Sequence, residues 1–199
     1  MDQSVNADNI STWNLIGGPE GGSVAALALT CSGEYTAFAA TGVGIFRSSG
    51  GQAAIGKSWK RLADSPGKAL SIALSPDFQH HPYVAAGNQA GVFFSEDGGE
   101  SWRVGRLPRA SSAVQVLSFS PDFAEDGIIF AGTGEDGVMI SEDRGQNWET
   151  RNFGFLDACI YAMVVSPAFS RDEMAFAGTN TGLYFTYNSG RAWRELHFP

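Results

Sequence analysis

All five tryptophans of this 199-residue chain recur at a nearly constant interval: Trp13, Trp59, Trp102, Trp148 and Trp193, spaced 46, 43, 46 and 45 residues apart. A period of about 20 to 50 residues constrains a fold more than any local propensity, because each copy is one supersecondary unit that buries its apolar faces against its neighbours. The text between the tryptophans repeats as well. After Trp59 comes SIALSPDF and then YVAAGNQAGVFFSEDGGESW; after Trp102, VLSFSPDF and IIFAGTGEDGVMISEDRGQNW; after Trp148, AMVVSPAF and MAFAGTNTGLYFTYNSGRAW. The stretch after Trp13 keeps the plan in weaker form, as ALALTCSG and TAFAATGVGIFRSSGG. Four copies result, at approximately 13–59, 59–102, 102–148 and 148–199, preceded by a polar segment, 1–10, that reads as a flexible tail.

Within a copy, short runs rich in Val, Ile, Phe and Ala alternate with Ser-Pro, Gly-Asn, Gly-Thr and Asp-Gly turns, and no run reaches helical length. The pattern predicts strand a at 24–30, 69–75, 114–120 and 160–166, strand b at 35–40, 82–86, 127–131 and 174–177, and strand c at 43–48, 91–95, 137–141 and 182–186. A strand d starts at each Trp. A four-stranded antiparallel unit of about 45 residues has the size of a propeller blade, so the expected fold is all-β, a propeller-type array of four blades in one domain, 11–199. With 43% hydrophobic residues the chain has the material for a core.

The tryptophans close a second, independent pattern. Ser95-Glu96-Asp97-Gly98-Gly99-Glu100-Ser101-Trp102 and Ser141-Glu142-Asp143-Arg144-Gly145-Gln146-Asn147-Trp148 both read S-x-D-x-G-x-x-W, and Thr186-Tyr187-Asn188-Ser189-Gly190-Arg191-Ala192-Trp193 is a conservative variant. In the first copy Gly50 takes the Asp slot and an insertion separates Gly51 from Trp59. These segments resemble the Asp-box, or BNR, repeats of sialidases, sortilin-type receptors and the photosystem II stability and assembly factor group, over residues 13–199. The resemblance implies that each box links strands c and d on the outer part of a blade. The chemistry of such a box is that of a tight hairpin: the carboxylate of Asp97 or Asp143 accepts N–H groups of its own turn, and Gly99, Gly145 or Gly190 supplies a positive φ. The Trp ring packs between neighbouring sheets. Ser95, Ser141, Thr186 and Asn188 belong to the same structural set.

Other motifs mimic chemistry. Gly51-Gln52-Ala53-Ala54-Ile55-Gly56-Lys57-Ser58 matches G-x-x-x-x-G-K-S. A phosphate-binding loop needs a long helix after its Lys, whereas Trp59 fills a repeat slot there and Pro66-Gly67 follows soon after. Gly132-Thr133-Gly134-Glu135-Asp136-Gly137 fits G-x-G-x-x-G but joins two strands, and its carboxylates repel phosphate. The pair His80-His81 lacks a third ligand at suitable spacing. No metal or other cofactor is therefore expected. A sialidase-type active site implies an arginine cluster, a Tyr and Glu pair and an Asp acid, usually over six blades, with an Arg-Ile-Pro motif near the start. Arg61, Arg103, Arg106, Arg109, Arg151 and Arg194 instead follow their tryptophans, where a lone Arg is expected as a solvated edge group.

What remains is surface. In a propeller the d-to-a and b-to-c loops share one face, and here that face carries 105–112, 150–158 and the turns GNQAG, GTGEDG and GTNTG. Arg106, Arg109, Phe153 and Phe155 are candidate anchors for a protein partner, since Arg and aromatics dominate interface hot spots. The reading is a non-catalytic scaffold for protein–protein interaction or assembly, with a glycan-binding or glycoside-hydrolysing domain as the alternative and nucleotide binding through 51–58 a weaker one. Thirteen Lys and Arg against 21 Asp and Glu give a charge of −8, which disfavours nucleic acid. With no apolar run of membrane-spanning length and no signal peptide in MDQSVNADNISTW, the expectation is a cytoplasmic protein without membrane contact. Cys31 and Cys159 fall in different copies at opposite ends of strand a and are not expected to pair. Trp13 begins a strand d, at 11–16, with no a, b or c before it. The array is thus either a compact four-bladed ring or a partial one completed by another chain, such as a second copy.

Overall fold

The computed structural model describes residues 18–20, 22–108 and 113–197. The tail at 1–10, the strand expected at 11–16 with Trp13, and Arg109 lie outside the described residues. Among the described residues sixteen strands form four separate four-stranded sheets, each an antiparallel meander of consecutive strands. Blade 1 is β1 (Val24–Ser32), β2 (Glu34–Thr41), β3 (Gly44–Gly50) and β4 (Lys60–Arg61); blade 2 is β5 (Ser71–Leu74), β6 (Val84–Asn88), β7 (Gly91–Ser95) and β8 (Arg103–Val104). Blade 3 is β9 (Val114–Phe119), β10 (Ile129–Thr133), β11 (Val138–Ser141) and β12 (Glu149–Thr150), and blade 4 is β13 (Ile160–Val165), β14 (Met174–Thr179), β15 (Leu183–Tyr187) and β16 (Arg194–Leu196). Strands a, b and c thus lie close to where the repeat places them. Strand d is two or three residues long and begins one residue past Trp59, Trp102, Trp148 and Trp193 rather than at the Trp itself.

The core lies between sheets, as it must when each sheet has two faces to bury. Phe38, Ala40 and Ile45 of blade 1 pack against Ile72, Val84 and Ala86 of blade 2. Tyr83, Ala85 and Phe94 of blade 2 meet Leu117, Phe119 and Ile129 of blade 3, and Phe130, Val138 and Ile140 of blade 3 meet Val165, Ala175 and Tyr184 of blade 4. In blades 2 and 3 strand b is covered on both faces and is built from small residues where blades approach most closely. A Cβ on Gly87 would lie 2.6 Å from Val114 Cγ1, and one on Gly132 would lie 2.6 Å from Ile160 Cγ2. Each glycine is a socket for the first residue of the next blade's strand a.

The inner strands stand side by side, β1 against β5, β5 against β9 and β9 against β13. Among the described residues no comparable packing joins β13 to β1, and Leu27 and Leu29 of β1 are 68% and 63% exposed. The blades therefore form an open array, and the compact four-bladed ring is not the arrangement adopted. Among the described residues two single-turn helices, α1 (Phe123–Asp126) and α2 (Phe169–Asp172), lie in a-to-b loops that sequence periodicity reads only as turns. One helical turn is too short to leave a periodic signal. Each buries its Phe and is tied to its own blade by a carboxylate: Ser120 Oγ donates to Asp126 Oδ2 at 2.5 Å and Ser166 Oγ to Asp172 Oδ2 at 2.6 Å. Among the described residues no helix is long and apolar enough to cross a membrane.

Candidate functional site

The turns between strands c and d bring together the side chains that the sequence singles out. Ser95 Oγ accepts the Gly99 N–H at 2.8 Å and donates to Asp97 Oδ1 at 2.8 Å, while Asp97 Oδ1 also accepts the Ser101 N–H at 2.9 Å. Ser141, Asp143, Gly145 and Asn147 repeat this arrangement, with bonds of 2.8 to 2.9 Å. In the third turn Asn188 Oδ1 accepts the Ala192 N–H at 2.9 Å and Thr186 Oγ1 accepts the Gly190 N–H at 3.1 Å. Burial works to raise the pKa of Asp97, but the bonds donated by Ser101, Ser95 and the Glu100 backbone outweigh it and lower the carboxyl to about 2. Asp143 is lowered for the same balance of reasons, chiefly its bonds from Asn147 set against burial.

The indoles sit in the inter-blade cores: Trp148 between blades 2 and 3, Trp193 between blades 3 and 4, and Trp102, partly buried, between blades 1 and 2. Trp102 and Trp148 donate their Nε1–H to the carbonyls of Gly99 and Gly145, at 3.0 and 2.9 Å, whereas Trp193 donates across the joint to the Arg151 carbonyl at 2.8 Å.

A second role of these turns has no signature in the sequence. The carbonyl of the residue after the Asp or Asn accepts a bond from the preceding blade in all three joints: Arg47 Nη1 to Gly98 O at 2.9 Å, Tyr83 Oη to Arg144 O at 2.5 Å, and Arg151 Nη1 to Ser189 O at 3.3 Å. Burial, then the adjacent Glu96 carboxylate, raises the pKa of the Tyr83 hydroxyl, which keeps it a donor. The donors differ in type and strand, so only the acceptor recurs. Arg151 departs from the expected solvated edge group: its side chain is 13% exposed and also pairs with Glu142, at 3.0 Å, and with Glu149. The chain crosses to the next blade directly after the short strand d, which carries Arg151 into the joint.

In blade 1 the corresponding turn holds the 51–58 insertion. Ser48 Oγ accepts the Gly56 N–H at 2.9 Å, the bond that Ser95 makes with Gly99, so Gly56-Lys57-Ser58-Trp59 occupies the place of Gly99-Glu100-Ser101-Trp102. The Gly51 carbonyl is taken by the N–H groups of Ala54 and Ile55, at 2.8 and 3.0 Å. The segment after Lys57 runs into β4, with no helix there to face a phosphate.

The candidate interface residues separate. The Arg106 and Phe153 carbonyls accept the backbone N–H groups of Trp148 and Trp193, at 3.0 and 2.8 Å, so both positions lie beside the next blade's c-to-d turn, with the Arg106 and Phe153 side chains exposed. Phe155 turns inward, its ring centroid 4.9 Å from those of both Tyr184 and Trp193. It is a core plug of the joint between blades 3 and 4, which corrects its reading as an anchor. Leu156, which the sequence reading passes over, is 82% exposed, beside Phe153 at 79%. The loop carrying both is fixed: Asn152 Oδ1 accepts the Val138 N–H at 2.8 Å, Asn152 Nδ2 donates to Asp136 O at 2.6 Å, and Gly137 N donates to Ala158 O at 2.8 Å. Alternation within N-F-G-F-L gives no sign of which aromatic points outward in a loop. The backbone bonds to the next blade decide it.

Of the remaining polar clusters, a groove beside the third blade's turn is lined by Ile140, Glu142, Asp143, Asn147, Trp148 and Glu149. Among the described residues no group of three or more His, Cys, Asp and Glu side chains is placed to hold a metal ion. His80 Nδ1 pairs with Asp77 Oδ1 at 2.8 Å on the surface. Cys31 and Cys159 are free thiols in blade 1 and just before blade 4.

No family model and no curated protein matches the sequence. Among solved structures, the chain is similar to an ancestral GH74 enzyme, with a TM-score of 0.70 and 19% identity over 92% of this chain and 27% of that one. It is also similar to YCF48 bound to a D1 peptide, with a TM-score of 0.58 and 20% identity over 88% of this chain and 54% of that one. The chain thus spans well under two thirds of either structure. Likeness at this level of identity defines the fold: an all-β array of four-stranded antiparallel blades of the β-propeller type.

Proposed function

We propose that this chain is a non-catalytic propeller scaffold that binds another protein, and that its c-to-d turns are Asp-box hairpins with a structural role. The observation that carries the reading is the pair Phe153 and Leu156, 79% and 82% exposed on a loop whose backbone is bonded to the next blade and to the 136–138 turn. Large apolar side chains held outward on an ordered loop lose little entropy on docking, the property of interface anchors. The YCF48 structure, which contains a bound peptide, supports a protein ligand for this fold.

A glycoside-hydrolase reading is favoured by the GH74 neighbour and by the acid-lined groove at Glu142, Asp143 and Glu149. Against it, Glu142 and Glu149 both engage the Arg151 guanidinium and Asp143 is consumed by its own turn, so neither a proton donor nor a nucleophile is left poised in a facing pair. The test is affinity purification, followed by calorimetry with the purified partner. Phe153→Ser with Leu156→Ser is expected to weaken binding at least about 30-fold at unchanged thermal stability. Hydrolysis of an oligosaccharide panel, abolished by Glu142→Gln, would replace this reading with the second.

A further inference from the structure

Two of the three joints between blades follow one rule in register, and blades 4 and 1 carry its two halves; in the joint between blades 1 and 2 the socket position is Ala40, paired with Ile45, and the small Ala69 packs in the same core. In the joint between blades 2 and 3, Val114, paired with Thr133 at the start of strand a, enters the socket at Gly87 of the preceding blade. In the joint between blades 3 and 4, Ile160, paired with Thr179, enters the socket at Gly132. Both plugs are fully buried. The position in the same register of blade 4 is Gly178, paired with Leu183 as Gly132 is with Val138 and Gly87 with Val92. Among the described residues, a Cβ on Gly178 would meet only Ala162 of its own blade, at 3.6 Å. The plug in the same register of blade 1 is Val24, paired with Thr41 and followed by the same irregularity in strand a, and it is 43% exposed.

The surroundings of the empty socket match as well. Phe130 and Ile140, fully buried under blade 4, correspond in blade 4 to Phe176 and Phe185, which are only partly covered, with Val164 and Tyr187 exposed on the same face. Arg194, paired with Phe185, lies over the Tyr187 ring at 5.2 Å and sets a guanidinium on this face, as Arg47 and Arg151 do at the joints that blades 1 and 3 make. At the other end, Leu27 and Leu29 extend the face that carries Val24, on which Ala39 and Phe46 are already buried. Among the described residues, Val24, Leu27 and Leu29 at one end and the Gly178 socket at the other thus present complementary parts of a joint.

We propose that two copies of this chain join head to tail, with Val24 of each copy seated in the Gly178 socket of the other, to close an eight-bladed ring about a twofold axis. Eight blades lie within the range of propellers, and two identical heterologous joints close without leaving a free end. The ring leaves Phe153 and Leu156 intact, so it stands or falls separately from the binding reading above.

Light scattering coupled to size exclusion on the full chain tests it. Wild type is expected at twice the 21.1 kDa chain mass. Val24→Asp and Gly178→Val each alter both joints of a homodimer and are expected to raise the dissociation constant at least about 100-fold. Mixed together, the two variants recreate one native joint, and a dimer containing one of each is expected to return; its appearance also shows that both variants are folded. A wild type that stays monomeric at about 100 µM overturns the proposal, as do masses that grow beyond the dimer with concentration. A Val24→Asp variant that still dimerises overturns it too, since blade 4 would then be pairing with something other than blade 1.

Discussion

Trp148→Ala is expected to be among the most costly single truncations in the chain. Its ring is 5% exposed and lies in the core shared by blades 2 and 3, and its indole N–H donates to Gly145 O at 2.9 Å. A buried indole removes about 200 Å² from water. At ~25 cal/mol per Å² this gives about 5 kcal/mol as an upper bound, and with the alanine methyl retained the expected loss is about 3–5 kcal/mol. Trp102 occupies the same slot one copy earlier but is only partly buried, so its truncation is expected to cost about half as much. Trp148→Phe retains a ring and loses the donor to a carbonyl at the joint, for about 1–2 kcal/mol. Urea unfolding followed by far-UV circular dichroism, independent of the deleted fluorophore, ranks the three variants. A Trp102→Ala loss equal to that of Trp148→Ala, or a Trp148→Ala loss under about 1 kcal/mol, would refute the placement of the indoles as joint fillers.

Acid should weaken the fold through the turns. Asp97, at about 2, and Asp143 titrate below their unfolded values, so the stability they confer is complete above the unfolded pKa of 3.8 and is lost as pH falls through their lowered folded values, about 2 for Asp97. Asp97→Asn keeps the acceptor that Asn188 provides in the third turn and is expected to flatten that part of a pH-dependent urea midpoint. Lys57→Ala is expected to leave both folding and any response to ATP unchanged, since Gly56 to Trp59 occupy a turn slot; micromolar ATP binding abolished by the substitution in calorimetry would show otherwise.

The blades were legible because two periods coincide in the sequence: apolar strands punctuated by turns, and a tryptophan once per copy. A turn such as 95–102 is set by local bonds, so residue type at fixed spacing carries its geometry. The joints are another matter. Their carbonyl acceptor is a backbone atom after Asp97, Asp143 or Asn188, where Gly98, Arg144 and Ser189 have nothing in common as side chains, and Arg144 and Ser189 adopt positive φ without being glycine. The donors Arg47, Tyr83 and Arg151 come from three different strand positions. No spacing rule links them, because the contact lies between copies and is set by how far each short strand d carries the chain. Phe155 and Leu156 illustrate the same limit: adjacent residues of similar hydrophobicity take opposite fates, on a loop held to the next blade by the bond from the Trp193 N–H to the Phe153 carbonyl, forty residues apart in sequence.

The turn of blade 1 predicts how a joint between copies should differ from those within the chain. At the three internal joints the turn carbonyl accepts a bond from the preceding blade, whereas the matching Gly51 carbonyl is satisfied by Ala54 and Ile55 of its own loop. A free blade 1 therefore leaves no orphaned acceptor at Gly51, and a docked one gains apolar burial without that hydrogen bond. The joint between copies should accordingly be weaker than any joint within the chain, and it also bears the translational entropy of association. Under rising urea, dissociation should precede unfolding. Its midpoint, read by light scattering, should rise with protein concentration, while the later loss of far-UV signal should not. A single transition in which both signals move together with concentration would mean that the four-bladed array has no stability apart from its partner, and that the capped turn does not weaken the joint.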